Sequence, residues 1–322
     1  MPCYNVEAYL ERGLSSLADS RFAGDLEVLI VNDGSTDSTR DIAQRFVELH
    51  PDVFTLIDKE NGGHGSAVNA GIDHATGRYF RVVDGDDWVN TDNLVRLIDR
   101  LNAIDSDLIV DERREVDMSS MRGDLVGLPA SIGVDRELEF ADVCNAEDVE
   151  SSITIHTLTV RTELFRAHDI HLREGIFYVD YEYIVKATCF ARTVTFVAIE
   201  LYQYLVGNAN QSVAADNWVA RYLHHETVIK ELLRFDDESD FSGPIQEYLT
   251  RKIQLIINTH YNVLLIFDKD RKRGAERAKA FRTWLIDCYP CYARLTRQRF
   301  CQAKIMHALG VDAARLSRIM GR

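Results

Sequence analysis

No stretch of this sequence runs apolar for the roughly 18 residues that a membrane-spanning helix needs. The longest candidate, Ile253 to Phe267, is interrupted by Gln254, Asn258, His260 and Asn262. A secretory leader is missing too: the chain opens Met1-Pro2-Cys3-Tyr4-Asn5, with no basic stretch followed by an apolar core. Internal repeats and low-complexity tracts are absent. These absences give the expectation of a cytoplasmic protein, in which the six cysteines are free thiols and not a disulfide framework. Cys288-Tyr289-Pro290-Cys291 follows an apolar helical stretch instead of opening a helix beside a βαβ unit, and no second C-x-x-C completes a zinc site. It reads as a helix-breaking turn.

What is present is enough for a sizeable core. Apolar residues make up 46% of the 322 and charged residues 27%, a length and balance that suit one α/β domain with an appended part. The net charge of −14 conceals an asymmetry. From Lys269 to Arg322 there are 14 Lys/Arg against 4 Asp/Glu, a local charge of +10, so the rest of the chain carries −24. Such a tail either meets an anionic partner or is a set of ordinary basic helices. Trp284, Tyr289, Tyr292 and Phe300 lie among its arginines, which suits an anionic membrane surface or simple helix packing.

The first hundred residues alternate strand and helix signals. Leu26 to Val31 and Tyr79 to Val83 are apolar runs of the kind buried on both faces, and Val53 to Ile57 is a shorter strand. Helical spacing covers Glu7–Ser20, Ser38–Leu49, Ser66–Ala75 and Thr91–Leu101. Repeated βα units predict a mostly parallel sheet flanked by helices, with ligands at the carboxyl ends of its strands. Further strands are expected at 107–110, 194–197 and 201–205, and helices at 141–150 and 181–191. After about Asn217 only helical signals remain: 218–234, 244–267, 275–288 and 294–320, the last broken near Gly310. The expected division is therefore a domain at 1–214, with halves 1–104 and 105–214, and a helical region at 215–322.

Three segments carry the chemistry. Asp84-Gly85-Asp86-Asp87-Trp88 gathers three carboxylates where a buried strand ends. Such a cluster repels itself unless a cation neutralises it, and hard ions such as Mg²⁺ or Mn²⁺ accept oxygen ligands and bind phosphates. Gly85 lets the backbone approach a ligand closely. Asn32-Asp33-Gly34-Ser35-Thr36-Asp37 ends another buried strand; turn and cap chemistry accounts for Gly34 to Asp37 but not for Asp33, which can accept hydrogen bonds from a base or ribose. Asn61-Gly62-Gly63-His64-Gly65-Ser66 enters a helix, where free N–H groups can hold a phosphate, although the G-x-x-x-x-G-K-[ST] signature is absent.

In this order, the three segments and Pro2-Cys3-Tyr4-Asn5-Val6-Glu7 before them resemble the family-2 glycosyltransferases of the GT-A fold, as does Asn69-Ala70-Gly71. The resemblance is close over the first hundred residues and looser to about Ser212. It implies an inverting transferase that moves a sugar from a UDP-sugar to a glycan or lipid-linked acceptor in cell-surface polysaccharide synthesis, with Mn²⁺ or Mg²⁺ as cofactor and no nucleic-acid partner. It places Pro2, Tyr4, Asn5, Glu7, Asp33, Asn61, Gly63, Asn69, Asp84 and Gly85 on the donor, with Asp84 and Asp86 at the metal and Asp86 the direct ligand. Asp180, in Tyr178-Val179-Asp180-Tyr181-Glu182, matches the family's catalytic base and can also cap a helix, with Glu182 as fallback. Gln211 and Ser212 match a loop closing over the diphosphate. Asp87, Trp88 and His156 join Glu182 on the acceptor side, although a lone His among apolar residues also fits a structural role. Two departures stand out: Val68 replaces an arginine frequent in the family, and the first strand, central in that sheet between the second and fourth, is expected to be missing. A metal-dependent nucleotidyltransferase and a truncated, non-catalytic nucleotide-binding scaffold are the rival readings. Peripheral contact with the inner face of the cell membrane is the expectation for the basic tail.

Overall fold

The computed structural model describes residues 1–22, 24–146, 148–207, 215–313 and 315–316. The chain forms two compact units, Met1–Asn208 and Ala209–Arg322.

In the first unit, β1 (Pro2–Cys3), β2 (Val28–Asp33) and β3 (Phe54–Lys59) make a parallel sheet in the order β1-β2-β3. Val28, Ile30 and Val31 are buried, so β2 is covered on both faces, as its unbroken apolar run requires. A second sheet follows, from β4 (Tyr79–Arg81), β5 (Trp88–Val89), β6 (Leu108–Asp117), β7 (Gly123–Val126), β8 (Glu137–Glu139), β9 (Leu158–Arg161) and β10 (Thr193–Val206). Its order is β4-β9-β6-β10-β5, with β7 added on β6 and β8 on β10. Only the β6–β10 pair is parallel here; the other pairs run antiparallel. The expected sheet flanked by helices is present in two parts: the three-stranded sheet is parallel, and the larger sheet is mixed. The strands expected at 194–197 and 201–205 are one element, β10, whose register against β6 shifts around Glu200. The helix expected at 141–150 is two short turns, Phe140–Val143 and Val149–Ser152.

The expected loss of the first strand is also corrected, in part. Pro2 and Cys3 pair in parallel with Val31 and Asn32, and the Met1 ammonium donates to the Leu29 carbonyl at 2.8 Å. Among the described residues, β2 has no partner on that edge beyond this two-residue strand, and β4 pairs only with β9. A cavity of about 260 Å³ lies between the two edges, lined by Val28 and Leu29 on one side and Tyr79, Phe80 and Arg81 on the other. Leu97, on the helix Thr91–Leu101, helps to close it. The Met1 ammonium is buried beside this space, and burial pushes its pKa down.

The second unit is helical where described: Ala215–Ala220, Tyr222–Glu238, Gly243–Asn262 running on through a π-turn at Val263–Phe267, Arg271–Cys288, Pro290–Leu295 and Arg297–Ala308. Pro244 sits in the first turn of its helix, and Asp270 caps the next by accepting from the Arg273 amide. Pro290 opens a new helix directly after Cys288–Tyr289, so the C-x-x-C segment is a helix break. Val228, Leu232, Ile253, Ile257, Phe281 and Leu285 belong to the buried core of this unit.

Unpaired strand edges in a buried region are costly, and residual cavity volume costs about 24 cal/mol per Å³, so filling it stabilises by at most about 6 kcal/mol. Extending the chain by about six apolar residues before Pro2, one typical strand, is expected to raise both the melting temperature and the soluble yield. A polar extension of equal length is the control, and equal melts for the apolar, polar and 322-residue forms would show that this edge needs no partner.

Candidate functional site

The site lies in the first unit, at the carboxyl ends of β1, β2 and β4. Two loops there brace each other. The Asn5 amide donates to Ser35 Oγ at 3.1 Å, and the Thr36 amide to Asn5 Oδ1 at 2.8 Å. The Ser38 amide donates to Glu7 Oε2 at 2.8 Å, and the Glu7 amide to Asp37 Oδ2 at 3.2 Å. Asn5 holds φ at +53°, in the left-handed region that Asn tolerates better than most residues. Asn5 and Glu7, expected on the donor, are thus tie points between the loops, while Tyr4 is exposed beside them.

Asp33 differs from expectation. Its carboxylate is buried and accepts from Lys59 Nζ at 2.7 Å, the Gly62 amide at 2.9 Å and the Gly63 amide at 2.8 Å. Strand pairing produces this, because Asp33 and Lys59 are register partners at the ends of β2 and β3. The carboxylate shapes the glycine loop and has its oxygens engaged within the chain. The Asn61 side-chain amide donates to the Asp33 carbonyl at 2.9 Å. Gly63, at φ +83°, turns the chain into the helix His64–His74, whose first turn has no side-chain cap. Asn69 is buried one turn further on and exchanges hydrogen bonds with the Leu172 amide and carbonyl, both at 2.9 Å. It ties this helix to the 172–175 segment instead of facing a donor.

The acidic turn follows β4. Gly85 donates its amide to the Pro2 carbonyl at 3.2 Å, and a Cβ there would lie 3.0 Å from that oxygen and 3.1 Å from Cys3 Sγ. The glycine is required by contact with β1, and not by a ligand as the sequence suggested. Asp84 sits between two imidazoles, with His64 Nε2 at 2.9 Å from one oxygen and His156 Nε2 at 3.5 Å from the other. Burial alone would raise the Asp84 pKa, but the histidines outweigh it and hold the carboxyl far below its usual range. Burial also opposes the charge on His64, yet its bond to Asp84 leaves its pKa raised. The Asp84 amide donates to the Tyr202 hydroxyl at 3.1 Å, which donates to Asp87 at 2.7 Å; the Leu205 amide reaches the other Asp87 oxygen at 2.7 Å. Burial, then the charges of Asp84 and Asp86, push Asp87 up to about 9. Asp87, expected on the acceptor side, is instead a buried anchor behind the turn. Asp86 is half-buried, and burial followed by Asp84 raises its pKa.

Among the described residues, Asp84, Asp87 and His156 form a group whose ligand atoms all lie within 4.8 Å of one another. Two oxygens and a nitrogen are a donor set that a divalent cation accepts, and the neighbouring carboxylates help to raise the pKa of Asp86 and Asp87. Asp86, expected as the direct ligand, is not in this group.

His156 belongs to this cluster. Its ring stacks on Tyr204, with centroids 4.4 Å apart, and Arg81 binds its carbonyl while pairing with Asp111. Trp88, in β5, lies half-buried with the Arg12 guanidinium 4.6 Å from its ring centroid. Asp180 is the first residue of the helix Asp180–Phe190, not its cap, where the helix dipole favours a negative charge. Burial raises its pKa, while His64 and His156 act in the opposite sense, which puts all three in one electrostatic neighbourhood. Glu182 is fully buried, accepting from the Arg173 amide and Lys186, each at 3.1 Å, so it is a structural residue and no fallback base. Gln211 and Ser212 lie outside the described residues. Sequence reasoning missed His64, Lys59, Tyr202 and Tyr204. Only His64 carried a signal, a titratable residue set between glycines at a helix entry.

Residues 1–142 match glycosyl transferase family 2. The glycosyltransferase GlyA of Streptococcus pneumoniae is 34% identical over 110 residues, 34% of this chain and 16% of that protein. The minor teichoic acid biosynthesis protein GgaB of Bacillus subtilis is 35% identical over 91 residues, 28% of this chain and 10% of that protein. The matched stretch is thus a small part of either relative. Residues 1–349 of TarS from S. aureus, solved in complex with UDP, superpose with a TM-score of 0.67 at 18% identity, covering 100% of this chain and 90% of that one. A second TarS structure, with UDP-GlcNAc, gives 0.66 at 18% identity, covering 96% and 90%. The fold is therefore the GT-A type. Residues 1–142, within the N-terminal unit, carry the likeness to the family-2 glycosyltransferases.

Proposed function

We propose that this chain transfers a sugar from a UDP-sugar, with inversion, to a glycan or lipid-linked acceptor in cell-surface polysaccharide synthesis, and that its first unit is the catalytic domain. The carrying observation is the histidine-bracketed Asp84 in an acidic turn, with Asp180 in the same electrostatic neighbourhood. The family match and the relatives above support a transferase and give no support to a nucleotidyltransferase or an inert scaffold. The UDP held by the TarS neighbours supports the choice of nucleotide.

Asp84 and His156 would hold Mn²⁺ or Mg²⁺, with Asp86 in the same electrostatic neighbourhood and Asp87 behind them. When bound, the ion supplies charge neutralisation for the departing UDP. The remaining work belongs to side chains. His64 fixes one Asp84 oxygen, which holds the carboxylate in place with its other oxygen toward His156. The uncapped start of the helix His64–His74 offers N–H groups to phosphate oxygens. Asp180, whose raised pKa suits a proton acceptor, removes the acceptor hydroxyl proton as that oxygen attacks the face of the sugar opposite the leaving group. Orientation and fixed charge supply the rest.

Two variants test this. Asp86→Ala is expected to abolish Mn²⁺-dependent UDP binding by calorimetry with the melt unchanged; unaltered metal-dependent affinity would remove Asp86 from the site. Asp180→Asn is expected to bind donor normally and lose transfer by roughly 10²-fold or more, the usual scale for a lost general base. Full transfer by Asp180→Asn would take the base role away from it.

A further inference from the structure

The helix Arg297–Ala308 in the second unit presents an outward stripe that the transfer reaction does not use. Arg297, Cys301, Lys304, Ile305 and Ala308 are exposed at spacings of four, three, one and three residues, one face of a helix. On the inward side Ala303 is buried, and Phe300, Met306 and His307 are half-buried. The stripe combines charge with apolar surface: Ile305 is 60% exposed and Leu309, just past the helix end, 71%. Leu295 and Arg294, on the preceding helix, are exposed as well.

The charge is unbalanced locally. Between Asp287 and Asp312 the sequence has no Asp or Glu, while Arg294, Arg297, Arg299 and Lys304 all fall within that interval. Further back, Lys269 pairs with Asp216, and Arg273 and Arg277 with Asp268. Among the described residues, no such carboxylate lies within pairing distance of Arg294, Arg297 or Lys304. Arg299 is different: it is half-buried and donates to Asn262 at 2.7 Å, so it serves packing.

We infer that this stripe docks the protein on an anionic lipid surface, with the helix Arg297–Ala308 lying in the plane of the interface. Arg294, Arg297 and Lys304 would meet acidic headgroups, while Ile305, Leu309 and Leu295 enter the headgroup–acyl boundary. Interfacial helices bind through that combination of cations and buried apolar area. A soluble polyanion would satisfy the cations and leave three large apolar side chains in water. The stripe's composition therefore selects a lipid surface over a nucleic acid or another free polyanion. This inference goes beyond the transfer reaction and does not depend on it.

The experiment uses the full chain and vesicles of phosphatidylcholine with or without phosphatidylglycerol. Wild type is expected to sediment with the phosphatidylglycerol vesicles at low salt and not with pure phosphatidylcholine. Arg297→Glu/Lys304→Glu should weaken binding about tenfold or more, since each basic residue near such a surface contributes on the order of 1 kcal/mol. Ile305→Ser/Leu309→Ser should weaken it several-fold with every charge intact. Melts and donor hydrolysis should be unchanged in both, because all four side chains are exposed; if the reversal variant melts early, Arg294→Gln/Arg297→Gln/Lys304→Gln replaces it. Equal binding to pure phosphatidylcholine, wild-type binding by the charge variant, or wild-type binding by the apolar variant would each overturn the proposal. The last of these would indicate a surface for soluble polyanions only.

Discussion

Three carboxylates within four residues cannot all stay ionised in a half-buried turn without compensating charge. The structure meets that constraint with two imidazoles on Asp84, a tyrosine hydroxyl and a backbone amide on Asp87, and a raised pKa on Asp86. These partners come from distant parts of the sequence: His64 from a helix entry, His156 from the loop before β9, Tyr202 and Leu205 from β10. To bring them to one place the parallel sheet must deliver its loops at one edge, and β10 must run back past β5. The fold of the first unit is, in this sense, the solution to holding negative charge at a strand end.

The same site shows how polar residues divide between chemistry and support. Asp33 and Glu182 look like equal candidates beside Asp84 and Asp180, yet each is buried with lysine and backbone partners. A buried carboxylate held by a lysine and the backbone costs too much to uncover for a ligand. Among the described residues no lysine or arginine pairs with Asp180, and burial raises its pKa. Environment, and not residue type, separates the two groups.

Much of this was legible in the sequence. The unbroken apolar run of β2 announced a strand covered on both faces, the Thr91–Leu101 spacing a helix, and the ordered motifs a family. Other features were out of reach because they depend on pairing. Lys59 becomes the partner of Asp33 only through the β2–β3 register, and Asn69 meets Leu172 only after the chain has travelled about a hundred residues. Gly85 was read as room for a ligand, whereas its neighbour is β1. The strand thought to be lost keeps Pro2 and Cys3, since even two residues in register gain ladder hydrogen bonds and cover part of the β2 edge.

The central claim is that an acidic turn, completed by a divalent cation, activates a uridine-linked sugar. The most direct measurement is a donor-hydrolysis screen of the full chain over UDP-, GDP-, dTDP- and CMP-sugars, each with Mn²⁺, with Mg²⁺ and with chelator. The account predicts turnover of a UDP-sugar that disappears with chelator and returns on adding the metal. Turnover that ignores the chelator, or a preference for another nucleotide, would contradict it.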